Sequence, residues 1–158
     1  MSIRDLMRED YELGKLDEQY FCELTGAEPL GTEWELRHVD CVWKGRKIDV
    51  KGLKRGVDEG YLLVEFTSVS GARGWVRGEA DGIAFRVPGY FLVVGRSDLL
   101  RLAQSCLRSV DVTRRNGLSP SECVGRLCGR VGRKDVFTYV YLDDVFELPH
   151  VKVRCRQA

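Results

Sequence analysis

The 158-residue sequence contains no long apolar segment and no recognisable secretory signal. No apolar run approaches the ~20 residues that a membrane-spanning helix requires, so we expect no membrane span. The opening segment, MSIRDLMREDYELGKL, is charged throughout and lacks the apolar stretch of a signal peptide. The six cysteines are therefore expected to be reduced thiols in a cytoplasmic protein.

Three familiar site patterns are also missing. Cys123, Cys128, His150 and Cys155 lack the tight CxxC pairs of a structural zinc site, which favours Cys123 and Cys128 as small buried residues. His38 and His150 have no evident serine or cysteine partner for a hydrolase triad. The segment GRLCGRVGRK is rich in glycine but lacks the P-loop spacing and its GK[ST] ending, so it is interpreted as a basic turn.

The composition matches one ordinary globular domain, with 44% hydrophobic and 31% charged residues. The net charge of +1 conceals an asymmetry. Residues 1–40 hold 11 acids and 4 bases (−7), whereas residues 41–158 hold 13 acids and 21 bases (+8). Basic clusters can contact phosphates, and each is equally compatible with a solvated surface. The clusters are Lys44, Arg46, Lys47, Lys51, Lys54 and Arg55, and Arg126, Arg130, Arg133 and Lys134.

Helical and alternating patterns predict an α/β or α+β domain. The segment KLDEQYFCELTG has Leu16, Tyr20 and Leu24 at four-residue spacing and stops at Gly26, which predicts a helix. Strands that are apolar on both faces imply helices on both sides of a sheet. The other predicted elements are strands over 36–43, 47–51, 61–66, 82–87, 90–95 and 135–141, and helical segments over 98–108 (Ser97 as N-cap), from Ser119, and over 142–148.

Three charged side chains, Asp40, Asp49 and Lys51, lie in the apolar hairpin HVDCVWKGRKIDVKGLKR. Side chains alternate along a strand, so Asp49 and Lys51 share one face. A two-residue turn within KGR places Asp40 on that face too, opposite either Asp49 or Lys51. Two neighbouring carboxylates repel, and Mg²⁺ relieves the repulsion while keeping waters for a substrate phosphate. An Asp–Lys pair that only neutralises itself is the alternative, and the spacing leaves both open.

The order of these residues resembles the motif of the PD-(D/E)XK nuclease superfamily. In that pattern an acidic residue on one strand precedes an acid-x-lysine on the next, as Asp40 precedes Asp49, Val50 and Lys51. Two departures are present. Val39 stands where the proline of the motif would be, and the second acid is aspartate rather than the commoner glutamate.

The resemblance extends to the preceding helix, where such nucleases often carry a glutamate followed by a glycine, as Glu18 and Gly26 do here. It implies a restriction-endonuclease-like core, with a central mixed β-sheet flanked by helices. We place this core at about residues 12–107 and a C-terminal elaboration at about 108–158, within a single domain over 1–158.

The resemblance also implies an activity, namely Mg²⁺-dependent, endonuclease-type hydrolysis of phosphodiester bonds, with DNA as the expected substrate and Mn²⁺ as a substitute metal. Asp40 and Asp49 would bind the metal, Glu18 would complete or order the site, and Lys51 would assist the attacking water. Small single-domain relatives often pair two sites by dimerisation, so a homodimer is an expectation.

Glu65 is an additional candidate for the site, because we expect the strand that begins at Tyr61 to lie beside the Asp49 strand. A rival alignment makes Asp49 the first acid and Glu65 the second, but it loses the lysine. The alternative is that Glu65 is a carboxylate at the sheet edge that pairs with Lys51 or Arg73.

The segment SGARGWVRGEADGIAF predicts a flexible loop around the core. Trp75 is expected to anchor the loop, and Asp81 is expected to order the turn before the next strand. Arginines on such loops can bind phosphates. The residues expected to contact nucleic acid are Lys54, Arg55, Arg73 and Arg77.

Two other functions stay open at this point. A non-catalytic nucleic-acid-binding or interaction protein on a nuclease-like fold would be favoured if the carboxylates did not converge or if Lys51 were shut away from solvent. An RNA-cleaving relative cannot be separated from a DNA-cleaving one by sequence.

Overall fold

A computed structural model describes residues 3–156, with side chains from residue 12 onward. The terminal residues and the side chains of 3–11 lie outside the described part. The expectation that the charged N-terminal segment is not a signal peptide falls on these residues. Along the chain the elements are α1 (Ile3–Thr25), β1 (Glu28–Pro29), β2 (Cys41–Trp43), β3 (Arg46–Lys51), β4 (Tyr61–Thr67), β5 (Gly82–Val87), β6 (Tyr90–Gly95), α2 (Arg96–Cys106), β7 (Val112–Arg114), β8 (Leu127–Gly129), β9 (Val136–Tyr141), α3 (Leu142–Phe146) and β10 (His150–Arg154).

The chain forms two mixed sheets flanked by helices, an α/β architecture. The first sheet has six strands in the order β1-β2-β3-β5-β6-β10, in which β3 and β5 are parallel and the other neighbours are antiparallel. The second sheet has four strands in the order β4-β9-β8-β7, in which only β7 and β8 are parallel.

Helices pack on both faces of the first sheet, as the two-sided apolar strands predict. On one face, Phe21 of α1 packs with Ile48 and Val50 of β3. On the other face, the buried residues of α2, among them Leu99, lie in one core with β5 and with the inner face of the second sheet. The first sheet is therefore the central layer of the molecule.

The pattern along β3 decides which residues face which layer. Ile48 and Val50 point into the α1 cluster, so Asp49 and Lys51 point to the opposite face. Asp49 is aligned with Ile83 of β5, which belongs to the core shared with the second sheet. This placement puts two charged residues at the junction between the two sheets.

Several predicted elements differ from the structure. The strand predicted over 36–43 is only Cys41–Trp43, because 32–37 forms a 3₁₀ helix. Leu16 was expected on the apolar face of α1, yet it is 60% exposed, and Phe21 is the buried residue there. Helix α2 begins after Gly95, with no side-chain cap from Ser97.

Other predicted features are confirmed. The strands over 61–66, 82–87 and 90–95 are present as β4, β5 and β6, and Cys123 and Cys128 are fully buried. Trp75 is buried in the core beneath its loop. The Asp81 carboxylate accepts a hydrogen bond from the Lys47 backbone at 2.8 Å, so it orders the approach to β5.

No helix within residues 3–156 is both long enough and apolar enough to traverse a bilayer.

Candidate active site

The hairpin of β2 and β3 brings the two motif aspartates opposite each other. Its turn consists of Lys44 and Gly45, both with positive φ (52° and 75°), as in a type I′ hairpin turn. Cys41 pairs with Ile48, so the next position of the antiparallel register places Asp40 opposite Asp49. Of the two predicted registers, the structure has the one that aligns the carboxylates.

Asp40 is held in place by three hydrogen bonds. Its Oδ2 atom accepts a bond from the Val50 backbone at 2.7 Å, its own N–H donates to the Ile48 carbonyl at 2.8 Å, and its carbonyl accepts from Leu30 N at 2.9 Å. The carboxylate therefore caps β3 where the ladder ends. Because its backbone and one side-chain oxygen are both bound, its orientation is fixed.

Asp49 is only 2% exposed, and its Oδ2 atom has no hydrogen-bond partner in the described residues. The Lys51 ammonium lies 3.2 Å from Oδ2, an ion-pair contact without hydrogen-bond geometry. Burial raises the pKa of Asp49 well above its ordinary value; Lys51 opposes this shift and the Asp40 charge adds to it. Such an unsatisfied buried oxygen calls for an explanation.

Glu18 approaches the aspartates from α1. Its carboxyl lies within hydrogen-bonding reach of Asp40, and the Lys15 ammonium contacts it at 3.3 Å. Burial, followed by the negative charge of Asp40, raises the pKa of Glu18 to about 7. The Glu35 carboxylate also pairs with Lys15, which ties α1 to the 3₁₀ helix before the hairpin. Three carboxyl groups, from α1, from the residue before β2 and from β3, therefore line one pocket.

The raised pKa of Glu18 predicts a pH-dependent stability. The folded chain retains a proton near pH 7 that the unfolded chain, with a value of 4.5, has already released. The stability from this group is thus fully present below about pH 4.5 and is lost as the pH rises through about 7. We expect Glu18→Gln, relative to the wild type, to gain stability over this interval, as measured by urea unfolding. A difference independent of pH would show that the pKa of Glu18 is not raised in the folded chain.

Glu65 reaches the site by a different route from the one predicted. The strand that lies beside β3 is β5, whereas β4 lies in the second sheet, so the expectation of adjacent strands is wrong. Glu65 nevertheless comes close to Lys51, and the Trp75 backbone N–H donates to its carboxylate. Burial raises the pKa of Glu65, and the charge of Lys51 opposes the shift. The Lys51 ammonium lies 5.2 Å from the Trp75 ring centre.

His38 is a site residue that the sequence reasoning did not select. It lines the same pocket as the carboxylates, in the left-handed conformation with φ of 57°. Its Nε2 atom lies 2.9 Å from the Arg73 carbonyl, and burial lowers its pKa. The only sequence signal was its position two residues before Asp40.

The site residues line an open pocket of about 250 Å³. Of the four residues expected to contact nucleic acid, only Lys54 lines this pocket. Arg73 is exposed and holds His38 through its carbonyl. Arg55 lines a different pocket, and the Arg77 guanidinium lies 5.3 Å from the Phe66 ring centre in a third. The predicted cations therefore do not form one continuous rim.

The donor set has the chemistry that Mg²⁺ prefers. Within residues 12–156, no group of three or more His, Cys, Asp or Glu side chains is arranged to hold a metal ion. Mg²⁺, however, commonly uses only one or two carboxylates and completes its shell with water and phosphate oxygens. Asp40 and Asp49 supply such a pair, and the Oδ2 atom of Asp49, which accepts no hydrogen bond from the described residues and contacts the Lys51 ammonium, would be one of the ligand atoms.

Comparison of the chain with protein-family models, with curated proteins and with solved structures gave no match.

Proposed function

We propose that this protein is a metal-dependent phosphodiesterase that cleaves nucleic acid, with DNA as the expected substrate. The observation that carries the proposal is the buried Asp49 carboxylate in an open pocket beside Asp40. Its Oδ2 atom accepts no hydrogen bond from the described residues and is paired with the Lys51 ammonium. An unsatisfied buried carboxylate lowers stability, and such a cost is characteristic of functional sites. A hairpin that only needed stability would have an apolar residue at this position.

Each residue of the site has a role in this proposal. Asp40 and Asp49 would hold Mg²⁺, and Glu18 would order Asp40. The bound metal would supply a Lewis acid and an activated water. The Lys51 ammonium would stabilise the negative charge that develops on the phosphate in the transition state. The bond from Val50 N–H keeps the Asp40 carboxylate in one orientation throughout.

Two features favour catalysis over binding alone. The carboxylates of Asp40 and Asp49 are adjacent, so their charges act on the same point. The Lys51 side chain is 17% exposed and lines the pocket, so it is not shut away from solvent. A protein that only bound the phosphate backbone would not need a buried carboxylate pair, which repels phosphate.

The direct test is incubation of the protein with labelled linear, branched and single-stranded DNA and with matched RNA. Each substrate is offered with Mg²⁺, with Mn²⁺ or with EDTA. We expect cleavage with either metal and none with EDTA. Binding without cleavage of any substrate would refute the proposal and favour the non-catalytic function, and cleavage of RNA alone would correct the substrate.

The cations near the pocket predict how binding depends on salt. Lys54 lines the pocket and Arg73 lies beside His38, so both are placed to contact the substrate backbone. The double variant Lys54→Ala, Arg73→Ala should weaken binding to unrelated sequences alike and reduce the slope of log affinity against log salt by roughly one to two. Turnover at saturating DNA should change much less.

The measurement is a salt titration of affinity in Ca²⁺. The control is Arg101→Ala, which removes one positive charge from the exposed surface of α2, where Arg101 pairs with Asp98. Arg77→Ala, measured in parallel, shows whether the substrate also reaches the pocket beside Phe66. An unchanged slope in the double variant would exclude Lys54 and Arg73 from the interface.

A further inference from the structure

A second polar pocket, of about 290 Å³, lies on the outer face of the second sheet. Arg55, Arg115 and Arg130 line it together with the carboxyl groups of Glu65 and Asp135 and with Phe137 of β9. We call it the arginine pocket. The inner-facing residues of β4, such as Val64, belong to the main core, so the alternate residues that line this pocket face outward. The three arginines come from three separate segments of the chain and meet only in the fold.

The arginines of this pocket retain capacity to bind an anion. Arg55 forms no ion pair or hydrogen bond with any described residue, and its charge acts on the Tyr139 hydroxyl of the same pocket. Arg130 donates from Nε to Asp135 at 2.9 Å, which is the only hydrogen bond of its side chain within the described part. Arg115 uses one terminal nitrogen to contact Glu122. A guanidinium has five N–H donors, so each of these groups has several left for a phosphate.

Phe137 adds an apolar surface beside these charges. Its ring is partly exposed and packs edge-to-face against Tyr139, with ring centroids 6.2 Å apart and planes at 87°. This contact fixes the ring while one side of it lines the pocket. Arginines next to a fixed aromatic ring are the combination that binds unpaired bases with their phosphates. A base inside a duplex is already stacked and cannot use such a surface.

The arginine pocket is separate from the candidate active site but lies close to it. Glu65 lines the arginine pocket, and its carboxylate interacts with Lys51 and Lys54 of the active site. Arg55 directly follows Lys54 in the chain. A nucleic-acid strand that passed over Lys54 would therefore reach Arg55 next. Lys54 and Arg55 are therefore consecutive cations, one in each of the two pockets.

We propose that the arginine pocket binds one unpaired nucleotide of the substrate, with its phosphate on Arg55 and Arg115 and its base against Phe137. The inference rests on the proposed function and narrows it to substrates with a single-stranded segment next to the cleaved bond. The binding energy would come from stacking and charge together, so it would be lost on a fully paired duplex.

The test is a binding titration in Ca²⁺ with a labelled single strand and with the blunt duplex of the same sequence. Phe137→Leu and Arg55→Ala should each weaken single-strand binding by about 10-fold, while duplex binding should change less than about 2-fold. Arg101→Ala is the charge-matched control and should affect neither. Arg55 is exposed, so its variant keeps the test valid if Phe137→Leu fails to fold.

Competition by small ligands identifies what the pocket recognises. A deoxynucleoside monophosphate should displace the single strand more effectively than inorganic phosphate at equal concentration. Equal displacement by phosphate, or an equal loss of single-strand and duplex affinity in the variants, would overturn the proposal.

The readout is binding and needs no cleavage, so the two proposals can fail separately. Selective single-strand binding without any cleavage would refute the nuclease proposal and retain this one. Cleavage with unchanged single-strand affinity in both variants would do the reverse.

Discussion

Asp49→Asn is expected to reduce cleavage by about 100-fold or more while leaving the fold intact. The substitution preserves the volume of the side chain and removes the charge of a metal ligand. Stability should change by less than about 1 kcal/mol, because burial already disfavours the Asp49 charge and because Lys51 keeps Glu65 as a neighbouring carboxyl group. The measurements are single-turnover cleavage in Mg²⁺ and urea unfolding of the same preparation.

Binding supplies the control for this variant. Affinity for DNA in Ca²⁺ should survive or increase, because one negative charge near the phosphate is removed. Asp81→Asn is a matched comparison, since Asp81 is exposed and only caps a backbone N–H of β3. Full activity in Asp49→Asn, or a loss shared equally by Asp81→Asn, would refute the assignment of Asp49 as a ligand.

Lys51→Ala is expected to lower turnover by about 10²–10³-fold, with a far smaller effect on DNA affinity. One phosphate-directed charge among many contributes little to binding, whereas an ammonium aimed at the reacting phosphate acts mainly in the transition state. The variant also removes the closest positive charge from Asp49, so the pKa of Asp49 should rise further. The pH at which cleavage begins should therefore move upward.

Two further variants serve as controls for Lys51→Ala. Lys47→Ala removes the same charge from the same face of β3, where the Lys47 ammonium lies 5.7 Å from the Trp34 ring centre, and it should retain turnover. Lys51→Arg keeps the charge in a different shape and should restore part of the rate. If Lys51→Ala lost binding and rate in equal measure, Lys51 would be a phosphate anchor only.

The hairpin shows which structural features local sequence patterns can predict. Alternation along β3 and the two-residue turn are properties of adjacent residues, so the facing of Asp49 and Lys51 was predictable. The choice between the two registers was not, because Lys44-Gly45 and Gly45-Arg46 are both plausible turns. The backbone conformation settles it, since the positive φ angles fall on Lys44 and Gly45.

The strand that pairs with β3 is a feature that local sequence patterns did not predict. Sequence order suggested that β4 would lie beside β3, but the chain places β4 in another sheet and inserts β5 in parallel. Parallel pairing joins strands that are far apart in the chain, and no local signal records which strands pair. Glu65 therefore reached Lys51 through the packing of two sheets.

The sequence by itself determined the charged face of the hairpin, the helix that carries Glu18, and the strands on both sides of Pro88. These depend on periodicity and on turn residues, which act over a few positions. The tertiary structure decided what those residues meet: Glu18 beside Asp40, His38 in the pocket, and three distant arginines around Phe137. Such contacts arise only when separate layers bury their apolar faces against each other, and that burial has no sequence-local signature.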